Sequence, residues 1–302
     1  MQIVVRQISG LGNQLFQYAA GRYYAKRHGA TMRMAIDPLQ SAVSHGYPRP
    51  FLLPHFQISQ RFEEVTALDR FIFTHRPLLK PAAHLWMKTL GIGIVNEPPS
   101  RRYSFLRELA IDGRAKTVYL VGYWQTFRLV DAVAGELRAE LSFREAARGR
   151  DLEVLKQIEG SREPVSLHIR RGDYTLAAEG NRALPVDYYV EAIRRFRERL
   201  RNPTFFVFSD DMRFARAHLP GDAPMVFVDH NSAATSYEDL RLMSACRHHI
   251  LANSTFSWWG AWLNARPDKI VVAPRHWLLT RDSYFPDLLP PEWTLLDTEV
   301  GA

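Results

Sequence analysis

Charged and polar side chains gather at four short stretches of this 302-residue chain. They are SGLGNQ at 9–14, HIRRGD at 168–173, FSDD at 208–211 and NSTFSWW at 253–259. Arginine presents a planar fork that suits phosphate oxygens, and a carboxylate can accept paired hydrogen bonds or bind a metal. Hydroxyls and backbone N–H groups at the start of a helix also suit phosphate. Together these residue types favour a site for an anionic ligand.

The HIRRGD motif ends a predicted strand. Apolar and polar residues alternate over 165–169, which is the period of a pleated strand rather than a helix. His168, Arg170 and Arg171 therefore come to the carboxyl end of this strand, the edge at which open α/β sheets bind ligands. For an arginine pair alone, a salt-bridged strand end is the alternative. Gly172, which permits a sharp turn, and the other motifs favour the anion site.

The SGLGNQ motif joins a strand predicted over 2–8 to a helix predicted over 14–28, with 9–12 as a tight loop. Gly29 suits the C-cap of this helix, and a second strand over 31–36 completes a βαβ unit. Glycine in such a loop lets a ligand approach the backbone, and the helix N-terminus behind it favours negative charge. The motif lacks the third glycine of a dinucleotide fingerprint, so a plain strand-to-helix turn is the alternative.

The other two motifs follow predicted strands of the second half. A carboxylate of Asp210 or Asp211 could accept hydrogen bonds from guanine, coordinate a metal, or start the next helix. The spacing differs from the D-x-D pattern of metal-nucleotide sites, so metal is the least favoured of the three. In NSTFSWW, Asn253 or Ser254 is predicted to cap a helix over 256–264, whose tryptophans we expect in the core.

The elements that position these motifs alternate regularly in the second half. Strands are predicted at 165–169, 204–208, 225–228, 249–252 and 269–273, and helices at 186–200, 237–246 and 256–264. This alternation favours βαβ units and a parallel sheet. Before this second half, we predict a strand over 118–124 and helices over 131–141 and 151–158. A domain boundary is predicted at GSREP, 160–164. Residues 37–117 are predicted to form short helices and long loops.

Composition bounds the classes of function. The chain has 46% hydrophobic and 24% charged residues, as soluble globular proteins do. Its net charge of +7 and pI near 9.6 favour an anionic partner. The single cysteine, Cys246, excludes an intrachain disulfide and is expected to be an inert core residue. The sequence shows neither a signal peptide nor a membrane-spanning run, so we expect a cytoplasmic protein, with peripheral contact at the inner membrane face left open.

The order and spacing of the four motifs together are more specific than any one motif alone. GLGNQLFQYA at 10–19, HIRRGDY at 168–174, FSDD at 208–211 and NSTFSWWGAWL at 253–263 together resemble the bacterial family of α-1,2-fucosyltransferases. That family is related to the blood-group H-type enzymes. The resemblance runs from residue 2 to about residue 275 and is least informative over 37–117.

The resemblance implies a GT-B-like α/β architecture, in which two Rossmann-like domains face each other across a cleft. Residues 1–160 would bind the acceptor and 161–302 would bind GDP-fucose. L-Fucose would pass from GDP-fucose to the 2-hydroxyl of a galactose-containing glycan, with inversion at the anomeric carbon. No metal and no cofactor beyond the donor substrate would be required.

The resemblance also implies roles for individual residues. Arg170 would hold the β-phosphate, His168 would contact the nucleoside, and one aspartate of the FSDD turn would interact with guanine. The implied donor-binding residues are Gly12, His168, Arg170, Asp210, Asp211, Ser254 and Thr255. Asn13 would face the reacting centre. Asp173 is the candidate general base, with bracing of the arginine turn as its structural alternative, and the departing GDP could itself take the proton.

Two other classes of function stay open at this point. One is a fucosyltransferase of another linkage, because residues 37–124, which would shape the acceptor pocket, reveal no specificity. The other is a non-catalytic nucleotide-binding module. No motif for DNA or RNA binding accompanies the basic charge, so nucleic acid is not expected as a partner. A lipid-linked acceptor would be consistent with peripheral membrane contact.

Overall fold

The computed structural model describes residues 1–36, 43–44, 47–75, 86–98, 103–104, 111–172, 183–278 and 285–298. The chain forms two compact units. One comprises Met1–Ser44, Pro48–Ser142 and Pro286–Leu288, and the other comprises His45–Tyr47, Phe143–Phe285 and Leu289–Ala302.

The described elements alternate between strand and helix over most of the chain. The strands are β1 (Gln2–Gln7), β2 (Thr31–Ile36), β3 (Val43–Ser44), β4 (Tyr47–Pro48), β5 (Arg61–Glu64), β6 (Ile92–Asn96), β7 (Thr117–Val121), β8 (Glu163–Ile169), β9 (Pro203–Ser209), β10 (Met225–Val228), β11 (His248–Ile250), β12 (Val271–Pro274) and β13 (Thr294–Leu296). The helices are α1 (Leu11–His28), α2 (Ala67–His75), α3 (Phe127–Ala132), α4 (Ala134–Glu140), α5 (Gly149–Gly160), α6 (Val186–Arg199), α7 (Met212–His218), α8 (Ser236–Ala245) and α9 (Thr255–Leu263).

The first unit is built on a parallel sheet in the order β5-β2-β1-β7-β6. α1 packs on the face that carries Val5 and Met32, where its Gly21 lies close to both side chains. α2 packs on the opposite face, against a cluster that includes Val4 and Ala35. Helices on both faces explain why the central strands are almost entirely buried.

The C-terminus of α1 is as predicted. Gly29 has a φ of 56°, in the left-handed region that glycine adopts without a steric penalty. Its backbone N–H points at the carbonyl oxygens of Ala25 and Lys26. This geometry confirms Gly29 as the C-cap and explains why β2 can begin two residues later.

A buried ion pair joins the sheet of the first unit to α2. Nη1 and Nη2 of Arg33 donate to the two oxygens of Asp69 at 3.0 and 2.7 Å. The Tyr119 hydroxyl and the Thr66 backbone N–H donate to the same carboxylate, each at 2.8 Å. Burial would raise the pKa of Asp69, but these hydrogen bonds hold it below its ordinary value. The carboxylate is therefore ionised, and it pairs with Arg33, a residue that is only 7% exposed.

The second unit contains a parallel sheet in the order β10-β9-β8-β11-β12-β13. One core cluster packs α6 and α7 against one face of this sheet, and another packs α5 and α8 against the other face. Cys246 lies in the second cluster with no exposed surface, and burial raises the pKa of its thiol. This is the three-layer Rossmann-like arrangement expected from the alternation of elements.

The change from one unit to the next comes between Ser142 and Phe143. The sequence predicts a first domain of 1–160. The difference arises from α5, because its Ile158 packs with Phe206 of β9 in the core of the second unit. Within the described parts of the chain, no helix is both long and apolar enough to cross a bilayer.

We expect Asp69→Ala to destabilise the first unit by ~3–5 kcal/mol, because it removes the bidentate partner of the buried Arg33 guanidinium and leaves only the more distant, half-exposed Glu63, whose Oε2 lies 3.6 Å from Nε. Tyr119→Phe removes only one hydrogen bond to the same carboxylate and should cost ~1 kcal/mol. Chemical denaturation of both variants measures the two effects. Equal losses for the two substitutions would show that the ion pair does not matter more than the single hydroxyl.

Candidate active site

Three of the sequence motifs meet at one edge of the second sheet. β9, β8 and β11 are neighbouring parallel strands, and Ile169 of β8 pairs with Ser209 of β9. Arg170 and Asp210 are the next residues on these two strands, and Ser254 follows β11 immediately before α9. Adjacent strands lie about 4.8 Å apart, so the three motifs, which follow the carboxyl ends of these strands, are neighbours.

Asp210 closes the turn after β8. Its Oδ1 accepts a hydrogen bond from the Arg171 backbone N–H at 2.8 Å, and its Oδ2 accepts one from the Gly172 N–H at 3.1 Å. Nη1 of Arg170 lies 2.9 Å from the same Oδ2. A single carboxylate thus fixes both the backbone of the turn and the direction of the Arg170 guanidinium. Asp173, the candidate general base, lies outside the described residues.

Asp211 starts α7, one of the three uses that the sequence left open for this pair. Its Oδ1 accepts a hydrogen bond from the Phe214 backbone N–H at 3.0 Å, as an N-cap side chain does. Its Oδ2 lies 3.5 Å from Nε of Arg171. The Arg171 guanidinium stacks 3.5 Å over the Phe214 ring, which stacks in turn on His218. The described partner of Asp211 Oδ2 is therefore more distant than any described partner of the Asp210 carboxylate.

His168 lies just inside the same edge, with its ring centroid 5.7 Å from that of Phe256 in the first turn of α9. Burial, assisted by the charge of Arg170, lowers the pKa of His168 to about 3. The imidazole is therefore neutral at physiological pH, with one N–H donor and one acceptor nitrogen. Among the described residues its buried Nδ1 has no hydrogen-bond partner.

Ser254 is the N-cap of α9, which decides between the two cap residues that the sequence allowed. Its Oγ accepts a hydrogen bond from the Phe256 backbone N–H at 3.3 Å. Asn253 instead donates from Nδ2 to the carbonyl oxygen of Trp277 at 3.0 Å. Thr255 is the first residue of α9. The tryptophans of α9 are at most 4% exposed, which confirms their prediction as core residues.

A buried polar network joins β8, β11 and the C-terminus of α9 within the same unit. Sequence reasoning missed it. The Ser166 hydroxyl of β8 lies 2.8 Å from Nδ1 of His249 on β11, and Asn264 lies 2.8 Å from Nε2 of the same imidazole. Asn264 also donates to the backbone carbonyl oxygen of Cys246 at 2.9 Å. Burial lowers the pKa of His249, so the ring is neutral. The network holds β8, β11 and the C-terminus of α9 in register.

A second polar cluster lies at the carboxyl end of β10. Nδ2 of Asn231 donates to Asp151 at 2.9 Å and to Asp239 at 2.8 Å, and His230 contacts Asp151 at 2.8 Å. Asp151 and Asp239 belong to the first turns of α5 and α8. Burial, with smaller contributions from neighbouring carboxylates, raises the pKa of Asp239 to about 7. The cluster ties both helices to the end of β10.

In the first unit, the SGLGNQ motif is more helical than expected. Gly10 is the N-cap of α1, and its carbonyl oxygen accepts hydrogen bonds from the backbone N–H groups of Asn13 and Gln14 at 2.9 and 3.1 Å. Gly12 and Asn13 therefore belong to the first turn of α1, whereas the sequence placed Gly12 in a loop. Ser9, with a φ of 68°, makes the sharp turn instead.

The amides of Asn13 and Gln14 hold this turn. Nδ2 of Asn13 donates to the Ser9 hydroxyl at 2.9 Å, and its Oδ1 accepts from Nε2 of Gln125 at 2.7 Å. Nε2 of Gln14 donates to the carbonyl oxygens of Ser9 and Pro50, each at 2.9 Å. The sequence analysis did not identify Gln125, although this residue follows strand β7, the neighbour of β1. Its place just beyond a strand end was the signal that could have found it.

None of the residues that the structure describes forms a group of three or more side chains suited to a metal ion. Independence from metal stays a prediction.

Residues 97–296 match the family described as Glycosyl transferase family 11. This match covers well over half of the chain. The chain belongs to glycosyl transferase family 11. The family-level expectation of an α-1,2-fucosyltransferase-like protein is thereby confirmed, and the protein is a glycosyltransferase.

Three similar proteins align with most of the chain. The Escherichia coli "O-antigen biosynthesis glycosyltransferase WbnK" is 32% identical and aligns with 91% of this chain and 97% of its own length. The Escherichia coli "Alpha-1,2-colitosyltransferase" is 30% identical, with 98% and 99% covered. The "Galactoside alpha-(1,2)-fucosyltransferase 1" of Bos taurus is 26% identical, with 96% and 73% covered.

Solved structures show the same fold. NodZ α-1,6-fucosyltransferase, co-crystallised with GDP, has a TM-score of 0.50 at 16% identity and covers 86% of this chain and 91% of its own. A mutant of Arabidopsis thaliana FUT1 in complex with GDP has a TM-score of 0.51 at 10% identity, with 100% and 77% covered. The expected fold class, a GT-B-like α/β chain with two Rossmann-like domains, is confirmed.

The contacts of the two aspartates predict different effects of amide substitution. Asp211→Asn keeps a good N-cap for α7, so thermal stability should hold, while the preference for GDP over ADP should fall by ~1–3 kcal/mol if this carboxylate binds guanine. Asp210→Asn disturbs the turn after β8 and should weaken GDP and ADP binding alike. Calorimetric titration with both nucleotides measures the two outcomes. A GDP preference that survives Asp211→Asn would place base recognition elsewhere.

Proposed function

We propose that this chain transfers L-fucose from GDP-fucose to the 2-hydroxyl of a galactose-containing glycan, with inversion at the anomeric carbon. The observation that carries the proposal is the meeting of Arg170, Asp210 and Ser254 at the ends of three adjacent strands. These are the positions to which the family resemblance assigns phosphate and guanine recognition. The relatives support the linkage, since two of them carry α-1,2 in their names.

The charges at this edge suit a nucleoside diphosphate leaving group. As the glycosidic C–O bond breaks, negative charge builds up on the departing GDP, and a fixed cation stabilises that charge most in the transition state. Arg170 is held by Asp210 with 18% of its side chain exposed, so it keeps access to solvent and ligand. The N-terminus of α9, with Ser254 and Thr255, adds the positive end of a helix dipole.

His168 would contact the nucleoside as a neutral ring. Its Nδ1 is buried and lacks a described partner, which is costly unless a ligand or water supplies one. A hydrogen bond to a nucleoside hydroxyl would satisfy this nitrogen, and the neutral ring can act as donor or acceptor. Contact with Phe256 holds the ring beside α9.

In the first unit, Asn13 would face the reacting centre from the start of α1, with Gly12 beside it for donor binding. The acceptor hydroxyl loses its proton during transfer, and Asp173 or the departing GDP would take it. With Arg170 and the helix N-terminus supplying the positive charge, the reaction needs no metal in this scheme.

Colitosyl transfer is the second candidate, because the colitosyltransferase relative aligns with 98% of this chain. Colitose is fucose without its 3-hydroxyl group. Both sugars would present the same GDP leaving group to Arg170, so the proposed nucleotide site would serve either donor. Side-by-side turnover of GDP-fucose and GDP-colitose distinguishes the two functions.

The purified chain should transfer fucose from GDP-fucose to a β-galactoside and release GDP in the presence of EDTA. Nuclear magnetic resonance of the product should show the fucose on the galactose 2-hydroxyl. Activity that EDTA abolishes and Mg²⁺ or Mn²⁺ restores would overturn metal independence. Transfer to another hydroxyl would contradict the linkage, and GDP binding without turnover would favour a binding module.

Arg170→Lys should lower kcat ~10²-fold or more, the scale of removing one well-placed electrostatic donor, with a smaller change in the KM for GDP-fucose. Lysine keeps the charge but loses the planar fork, so it should be nearly as damaging as alanine. Arg216→Lys is the matched control, because Arg216 lies in the same unit, 49% exposed, in a surface pair with Asp229. A folded Arg170→Lys protein with near-native kcat would remove Arg170 from the mechanism.

A further inference from the structure

Glu97 clamps the turn that follows β7. It lies just beyond the end of β6, the strand next to β7 in the first sheet. Its Oε2 accepts a hydrogen bond from the Tyr123 backbone N–H at 2.7 Å, and its Oε1 accepts one from the Trp124 N–H at 2.9 Å. One carboxylate therefore binds two consecutive backbone donors and fixes the course of the chain between them.

The clamped backbone is strained. Trp124 has a φ of 56° and is only 2% exposed, and a bulky residue in the left-handed region is a genuine outlier. Such a conformation persists where the surroundings over-determine it, and it is concentrated at functional sites. A Cβ atom on Gly122 would lie 2.4 Å from Cβ of Glu97, so the approach of Glu97 requires glycine at that position.

The strained turn presents the next side chain to Asn13. Gln125 is 7% exposed, and its Nε2 donates to Oδ1 of Asn13 at 2.7 Å. The other end of the Asn13 amide donates to the hydroxyl of Ser9, itself in the left-handed region with a φ of 68°. Two strained turns, one after β7 and one after β1, thus fix which way the Asn13 amide points.

We infer that Gln125 and Glu97 are positioning residues for the glycosyl transfer: Gln125 orients the Asn13 amide directly, and Glu97 does so by holding the turn that carries Gln125. This inference rests on the proposed function, because it takes Asn13 to act at the reacting centre. Donor recognition by the second unit is not part of it. Because Gly12, a proposed donor-binding residue, lies in the same turn as Asn13, a loss of positioning should lower kcat by more than it raises the KM for GDP-fucose.

A mutant cycle tests the coupling between Gln125 and Asn13. Gln125→Ala should lower kcat by about tenfold or more, since small misplacements of a reacting group have effects of this order. If Gln125 acts through Asn13, the double variant Asn13→Ala/Gln125→Ala should be no slower than Asn13→Ala alone. Losses that multiply would show that the two residues act independently and would overturn the inference.

Glu97→Gln extends the test along the chain of contacts, because glutamine offers one acceptor oxygen to the two backbone donors. We expect a several-fold loss of kcat and a smaller rise in the KM for GDP-fucose. Thr126→Val is the matched control: Thr126 lies in the same turn and caps α3 by accepting from the Arg128 N–H, but it makes no described contact with Asn13. A kcat that falls equally in Thr126→Val would show general loosening of the turn and would overturn the specific role of Glu97.

Hydrogen exchange separates failure of this inference from failure of the proposed function. Wild-type protein that transfers nothing from GDP-fucose would contradict the function but leave the contacts testable. The backbone amides of residues 9–14 should exchange faster in Gln125→Ala and in Glu97→Gln than in wild type, and at the wild-type rate in Thr126→Val. Unchanged exchange in both test variants would overturn the positioning role whatever the activity.

Discussion

The carboxylate of Asp210 is the contact on which the carboxyl-end edge of β8 and β9 depends. It accepts hydrogen bonds from two consecutive backbone N–H groups after β8 and also holds the Arg170 guanidinium. A guanidinium on a flexible turn would lose side-chain entropy each time it bound a phosphate. Because the turn and the side chain are already fixed, this entropy is lost during folding, and under the proposed function the cation would be in place before negative charge develops on the leaving group. Arg170 is thus an oriented donor because β9 ends beside β8.

The first unit repeats this device with different residues. Glu97 follows β6 and accepts hydrogen bonds from two consecutive N–H groups after the neighbouring strand β7, as Asp210 follows β9 and closes the turn after β8. In each case the turn carries a polar side chain, Gln125 in one unit and Arg170 in the other. Parallel strands end at the same edge, so a carboxylate beyond one strand is well placed to bind the backbone beyond the next. The fold itself supplies a recurrent way to hold side chains at that edge.

Sequence patterns predicted those elements whose own residues carry a clear local signal, such as apolar alternation or a capping glycine. Strands 31–36 and 225–228 have the predicted bounds, and Gly29 ends α1 as expected. The helix expected over 131–141 is divided at Val133 into α3 and α4. Edge strand β5, with the polar sequence RFEE, has no apolar alternation to reveal it and forms only because β2 lies beside it. The pairing of Gln125 with Asn13 spans 112 residues, so it follows from sheet order, which local patterns do not encode.

The electrostatics at the carboxyl end of β8 also explain why the histidine there is neutral. Burial and the adjacent Arg170 both disfavour a proton on His168, and its pKa falls to about 3. An imidazolium would add positive charge for a diphosphate, but it would be lost whenever the pH rose above its pKa. Arginine stays charged throughout the physiological range, and a neutral imidazole offers a hydrogen bond that does not change between pH 5 and 8. If this edge binds the proposed nucleoside diphosphate, the permanent cation and the neutral ring together would keep that binding insensitive to the titration of His168.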